Sequence, residues 1–206
     1  MSMAATRLEP PPIDDVALAS ALLRREPRAA TEVWTAYAPL VLRFLRRFFG
    51  PTCDGQDLCQ EVFLRLFKRI DELRDPAALR GFLLSIALGV SRNEVRRARV
   101  RRWIGLTATG ELPEVPAVGG WDPEAREATA RLYAILERLG AEDRSLFITR
   151  YVERMEIAEI AGVLGLSVAT TKRRLARVTK RVGARLGNDP VFADYRFKIP
   201  SGASAR

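Results

Sequence analysis

Eight side chains between Ser167 and Lys180 have the types and spacing that nucleic-acid chemistry requires. Ser167, Thr170 and Thr171 are short hydroxyls, and Lys172, Arg173, Arg174, Arg177 and Lys180 are cations following closely behind. An arginine fork bonds two acceptors on a guanine edge, threonine reaches a base or a phosphate, and lysine neutralises backbone charge. A second cationic set, Arg92, Arg96, Arg97, Arg99, Arg101 and Arg102, falls within eleven residues. The negative end of a helix dipole accounts for two or three such cations, not six. Other chemistry lacks its usual groups. The chain has no histidine, the commonest general base and metal ligand. Cys53 and Cys59 have no companion residues for zinc and, six apart in a chain read as cytosolic, are expected as free thiols. No enzyme activity, metal or cofactor is expected.

The cations need a helix to present them. From Ile157, the residues Ile157, Ile160, Ala161 and Leu164 share one helical face, and Gly165 stops that helix. Ser167 then caps a second helix from Val168, in which Thr171, Leu175, Val178 and Val182 face inward and the cations take the remaining arc. Two helices joined by a tight turn, the second basic, fit the helix-turn-helix geometry for the DNA major groove.

Composition agrees with a polyanionic partner. The 206 residues carry a net charge of +9, with +6 over residues 31–103, −3 over 104–123 and +5 over 124–186. Two basic blocks flank an acidic strip. No uninterrupted apolar span and no signal-peptide pattern is present, which favours nucleic acid over a membrane surface and a cytoplasmic location.

Taken in order, residues 1–15, with Pro10, Pro11 and Pro12, read as a mobile extension. Residues 16–103 read as a helical bundle. It starts with Val16, Ala19, Leu22 and Leu23, breaks near Pro27, and continues through Val33, Trp34, Tyr37, Val41, Phe44, Leu45 and Phe48 to Gly50-Pro51. A third helix, Asp57 to Ile70, keeps Leu58, Val62, Leu66 and Ile70 inside, with Phe63 and Phe67 broadening that face. Asp75-Pro76 signals a new start, Gly81 is expected to interrupt it, and a long helix carries Phe82, Ile86 and Val90 inward before its arginines. Residues 104–123, free of Lys and Arg and rich in Gly and Pro, read as a flexible acidic linker. Asp122-Pro123-Glu124 is a helix-start signature, residues 124–186 form a second helical domain, and 187–206 read as a tail whose Phe192, Tyr195 and Phe197 offer a docking point. The fold class is all-α.

With both halves considered, the chain resembles an extracytoplasmic-function sigma factor, the minimal group of the bacterial sigma-70 family, over roughly residues 16 to 186. Asp57-Leu58-Cys59-Gln60-Glu61-Val62-Phe63 is similar to the family's D-x-x-Q-E-x-F segment in region 2. Phe82-Leu83-Leu84-Ser85-Ile86-Ala87, running to Arg96-Arg97, is similar to its W-L-x-x-I-A…R-R helix. Glu159-Ile160-Ala161, Leu164-Gly165-Leu166-Ser167, Thr170 and Lys172 resemble its region 4 run. The chain departs from the pattern at Phe82, for tryptophan; Leu88-Gly89, for Arg-Asn; Asn93, for aspartate; and Thr171, for valine.

The resemblance implies a transcription initiation factor that binds core RNA polymerase and directs it to promoters. Asp57, Gln60, Glu61 and Phe63 would dock on the beta-prime coiled coil. Arg74, Arg80, Phe82, Asn93, Arg96 and Arg97 would hold the separated minus-10 strand, and Ser167, Thr170, Thr171, Lys172, Arg173, Arg174, Arg177 and Lys180 the minus-35 duplex. The beta flap is a further implied partner, and an anti-sigma factor is left open. The acidic linker would thread toward the RNA exit path. An autonomous helix-turn-helix repressor or activator is the alternative; it gives no reason for an arginine-dense helix after a D-x-x-Q-E-x-F segment.

Overall fold

The computed structural model describes residues 14–50, 53–103 and 122–192, and every regular element among them is helical. The extension over 1–13, the linker over 104–121, and Tyr195 and Phe197 lie outside the described residues, as do the side chains of Arg101 and Arg102.

The first half packs α1 (Asp15–Leu23), α2 (Ala29–Phe49), α3 (Gln56–Arg69) and α4 (Leu79–Trp103). The Asp14 carboxylate accepts from the amide of Ala17 at 2.9 Å and so caps α1. The Tyr37 hydroxyl of α2 donates to Asp15, which ties the first two helices together; burial and that carboxylate push the phenol well above its ordinary range. Pro39 sits inside α2 and removes the bond to the Thr35 carbonyl. Burial of Val33, Val41, Phe44, Leu45 and Phe48 contributes about 1.5–3 kcal/mol each. That offsets the roughly 3 kcal/mol an interior proline costs.

Asp75 starts the next turn as its position predicts, its carboxylate accepting from the amide of Ala77 at 3.0 Å. Gly81 does not break the long helix: α4 runs straight through it, because Leu79, Leu83, Ile86, Ala87 and Val90 form a continuous buried stripe on either side. Phe82 lies beside that stripe, half-buried and packed against the core, so its expected inward position is met in part.

The second half contains α5 (Pro123–Glu137), α6 (Ala141–Phe147), α7 (Ile157–Leu164) and α8 (Val168–Gly187), with a π-helical turn over Ile148–Val152 extending α6. Asp122 occupies the cap position of α5 with Pro123 behind it, yet its carboxylate makes no capping bond. After α8 the chain turns through Pro190–Phe192, and Phe192 is buried against α5 and α8. The reading of everything past 186 as a tail is therefore corrected as far as Phe192: its ring reaches apolar surface left open beside the end of α8.

The two halves share one buried cluster, which runs from Phe44 and Phe48 to Ile135, Leu136 and Phe147. Polar contacts reinforce it. Arg144 of α6, itself buried, donates to the Phe48 carbonyl at 2.8 and 3.2 Å and lies over the Phe48 and Phe49 rings. The Tyr133 hydroxyl of α5 donates to the Arg47 carbonyl at 2.6 Å. Side chains of the second half thus take up carbonyls that the C-terminus of α2 leaves unpaired. Gly50 ends α2 at φ 108°, and a Cβ there would stand 3.3 Å from the Tyr133 ring. Only glycine meets both demands.

Candidate nucleic-acid interface

The helix-turn-helix forms for the local reasons its residues supply. Glu156 and Glu159 make a reciprocal capping box at the start of α7, the Glu156 amide donating to Glu159 at 2.8 Å. Gly165 adopts φ 64° and ends α7, with the Leu166 amide donating to the Ala161 carbonyl at 2.9 Å. Ser167 accepts from the Thr170 amide at 3.1 Å, and α8 begins. Leu175, Val178, Val182 and Leu186 are buried along its inner face.

Lys172, Arg173, Arg177 and Lys180 are exposed, and Thr170 and Arg174 are half-buried at its edge. Thr171 is different. It is 0% exposed and its hydroxyl donates to the Ser167 carbonyl at 3.0 Å, so its place on the DNA-contacting list is corrected to the core. Its recurrence with Leu175 and Val178 carries that signal. Val168 and Ala169, exposed at the start of α8, bear no charge and so escape a search for cations; an apolar side chain there suits a thymine methyl. Asp143, nearly buried on α6, pairs with Arg177 at 3.3 Å and Arg181 at 2.6 Å. Two of the helix's cations are therefore partly neutralised within the protein.

In the first half, Arg74, Arg80 and Phe82 come together in the lining of a cavity of about 790 Å³. The Arg69 guanidinium lies 5.9 Å from the centre of the Phe82 ring. Asn93, Arg96 and Arg97 sit farther along α4, outside the cavity lining. Arg96 pairs with Glu142 of α6 at 2.6 Å, and Arg92 shares the same carboxylate. Arg97 lies 3.9 Å from Glu61 and 4.0 Å from Glu94.

On α3, Asp57 and Gln60 are exposed and Glu61 is half-buried, bonded to Arg65 at 2.5 Å. Phe63 is 1% exposed and packs on the Trp34 ring at 4.6 Å, which removes it from any docking surface. The apolar members of that face are instead Leu64, 60% exposed, and Trp34, 39% exposed. Leu64 follows Asp57, Gln60 and Glu61 at the i, i+3, i+4, i+7 spacing of one helical face, a signal present in the sequence. Cys53 and Cys59 are free thiols; burial pushes Cys59 up to about 11, which leaves it as an inert core side chain. No described helix is long and apolar enough to cross a membrane.

Comparisons with known proteins fall on these same two halves. A family model for Sigma-70 region 2 matches residues 33–101, and one for Sigma-70, region 4, matches residues 129–182. The RNA polymerase sigma-E factor of Streptomyces coelicolor is 30% identical over 146 residues, covering 71% of this chain and 79% of that protein. The ECF RNA polymerase sigma factor SigW of Bacillus subtilis is 23% identical, covering 72% of this chain and 84% of its own. The solved structure of the sigma factor RpoE in complex with the anti-sigma factor NepR from Bartonella quintana shares the fold, at a TM-score of 0.56 and 19% identity, covering 79% of this chain and 99% of that one. An arginine-bearing bundle joined to a basic helix-turn-helix, matched region by region, places this chain in the extracytoplasmic-function group of the sigma-70 family, the sigma factors that bring core RNA polymerase to the minus-10 and minus-35 elements of promoters.

Proposed function

We propose that this chain works in the cytoplasm, without enzymatic activity of its own, as a promoter-specificity subunit whose three surfaces divide the task. The α3 face of Asp57, Gln60, Glu61 and Leu64, with Trp34 beside it, docks on the polymerase coiled coil. Arg74, Arg80, Phe82, Asn93, Arg96 and Arg97 take the separated minus-10 strand, where arginines meet phosphates and an aromatic ring stacks on a base. Val168, Ala169, Thr170, Lys172 and Arg173, at the exposed start of α8, read the minus-35 duplex, and Lys180 meets phosphate. An anti-sigma factor, of the kind in complex with the Bartonella protein, is a further partner.

The observation that carries this reading is the α3 face. It combines an exposed leucine with exposed polar residues on a helix outside the basic helix-turn-helix, and docking on polymerase accounts for that combination. Run-off transcription with core polymerase on a genomic promoter library tests it. Discrete start sites are expected only when the protein is added; a transcript pattern unchanged by its addition would overturn the reading.

A further inference from the structure

A smaller hollow, of about 320 Å³, opens between α5, the end of α8 and the turn that follows it. Arg131, Ile135 and Arg138 line it from α5, at the i, i+4, i+7 spacing of one helical face, and Arg185 lines it from α8. Three guanidiniums from two helices thus converge on one place, and little within the protein compensates them. Arg131 reaches Glu127 only at 3.7 Å, and neither Arg138 nor Arg185 forms an ion pair among the described residues. Asp189, at the rim, is engaged by its own backbone, one carboxylate oxygen accepting from the Val191 amide at 3.1 Å. One Arg185 nitrogen, Nη1, is buried and has no hydrogen-bond partner among the described residues. A buried donor left unpaired costs free energy, more so when it is charged, and folded proteins leave few of them. That nitrogen calls for an acceptor which the chain itself does not supply.

The promoter duplex does not fill this hollow. At 3.6 residues per turn, Arg185 falls within about 20° of the buried Val178, on the inner side of α8, and about 25 Å along the axis from Val168. A major groove about 12 Å wide that takes the exposed start of α8 does not extend to it. The occupant is therefore a separate anion, compact enough for the hollow and rich enough in oxygens for several guanidinium forks. We propose that the hollow is a binding site for a diphosphate group, free or carried by a nucleotide. A single carboxylate occupies one fork; two linked phosphoryl groups present acceptors to several at once, in the planar, bidentate geometry that arginine favours over lysine. Arg138 and Arg185 supply the paired donors, Arg131 the third cation, and the Asn188 amide a neutral donor at the rim. Bound there, the anion joins α5 to the turn that seats Phe192, so occupancy holds the end of the second half together.

Titration of the isotope-labelled full chain with inorganic pyrophosphate, followed by backbone amide chemical shifts, tests the site. Saturable shifts are expected over residues 131–138 and 185–192; their absence, or shifts confined to the start of α8, overturns the proposal. Arg185→Ala is expected to weaken this binding about tenfold, and so is Arg138→Ala, whose side chain is exposed and contributes nothing to the core. Arg28→Ala removes an exposed cation of the first half and so matches the change in net charge; it is expected to leave the binding unchanged. Equal weakening by all three substitutions, or by none, reduces the effect to net charge and overturns the site. Sulfate at matched ionic strength is expected to give no saturable shift at the same amides, and sulfate binding as tightly as pyrophosphate overturns the diphosphate assignment. A parallel titration with ATP identifies the source. Tighter binding than pyrophosphate assigns a nucleotide and weaker binding the free anion, and either result supports a diphosphate site.

Discussion

Leu64→Asp is expected to lower capture of core RNA polymerase roughly thirtyfold, the loss of a contact worth about 2 kcal/mol, while leaving the fold intact. Leu64 is 60% exposed on α3, and a surface substitution of this kind changes stability by about 0.5 kcal/mol or less. Phe63, one residue earlier, gives the contrast. It is buried against Trp34, so Phe63→Ala is expected to cost about 3–5 kcal/mol of stability through the cavity it leaves. Co-purification and a denaturant melt on each variant separate the two. Asp57→Lys with Gln60→Ala and Glu61→Lys is expected to behave like Leu64→Asp. Retention of polymerase by both Leu64→Asp and the triple variant would move the docking surface elsewhere.

The second large effect concerns α8. Arg173→Ala is expected to cost about 1–3 kcal/mol of promoter affinity in the holoenzyme and to relax one position of the minus-35 element. Lys180→Ala is expected to weaken all sequences alike and to reduce the salt slope by about one unit. Arg177→Ala is expected to fall below either, because its guanidinium already shares Asp143 with Arg181 and brings less free charge to a phosphate. Affinities over a promoter panel at several salt concentrations check all three. Equal, sequence-independent losses at Arg173 and Lys180 would refute the division between reading and neutralising.

Legibility in the sequence is local. Gly165, Ser167 and Asp75 each end or start a helix with bonds reaching no more than five residues, so their types announce them. The inner faces of α2 and α8 follow from period alone. Phe63 is misplaced where a matched motif overrides that period, while Thr171, which the period places inward, is buried as the period requires. Gly81 is a weak breaker when leucines on both sides are buried, and no short-range signal announces that burial. Phe192 and the contacts of Tyr133, Glu142 and Arg144 depend on distant partners, those of the last three lying 46 to 96 residues away, which no window on the chain brings together. The surfaces are therefore readable from the chain while their mutual arrangement is not.

A DNase footprint on a promoter identified by run-off transcription measures whether these surfaces act only with polymerase. With core polymerase present, the protein is expected to protect both the minus-35 and minus-10 elements at physiological salt. Alone, it is expected to leave the same duplex bare, because each half contributes few phosphate contacts and the minus-10 surface needs separated strands. Strong, specific protection by the protein without polymerase would contradict the account and restore an autonomous helix-turn-helix regulator.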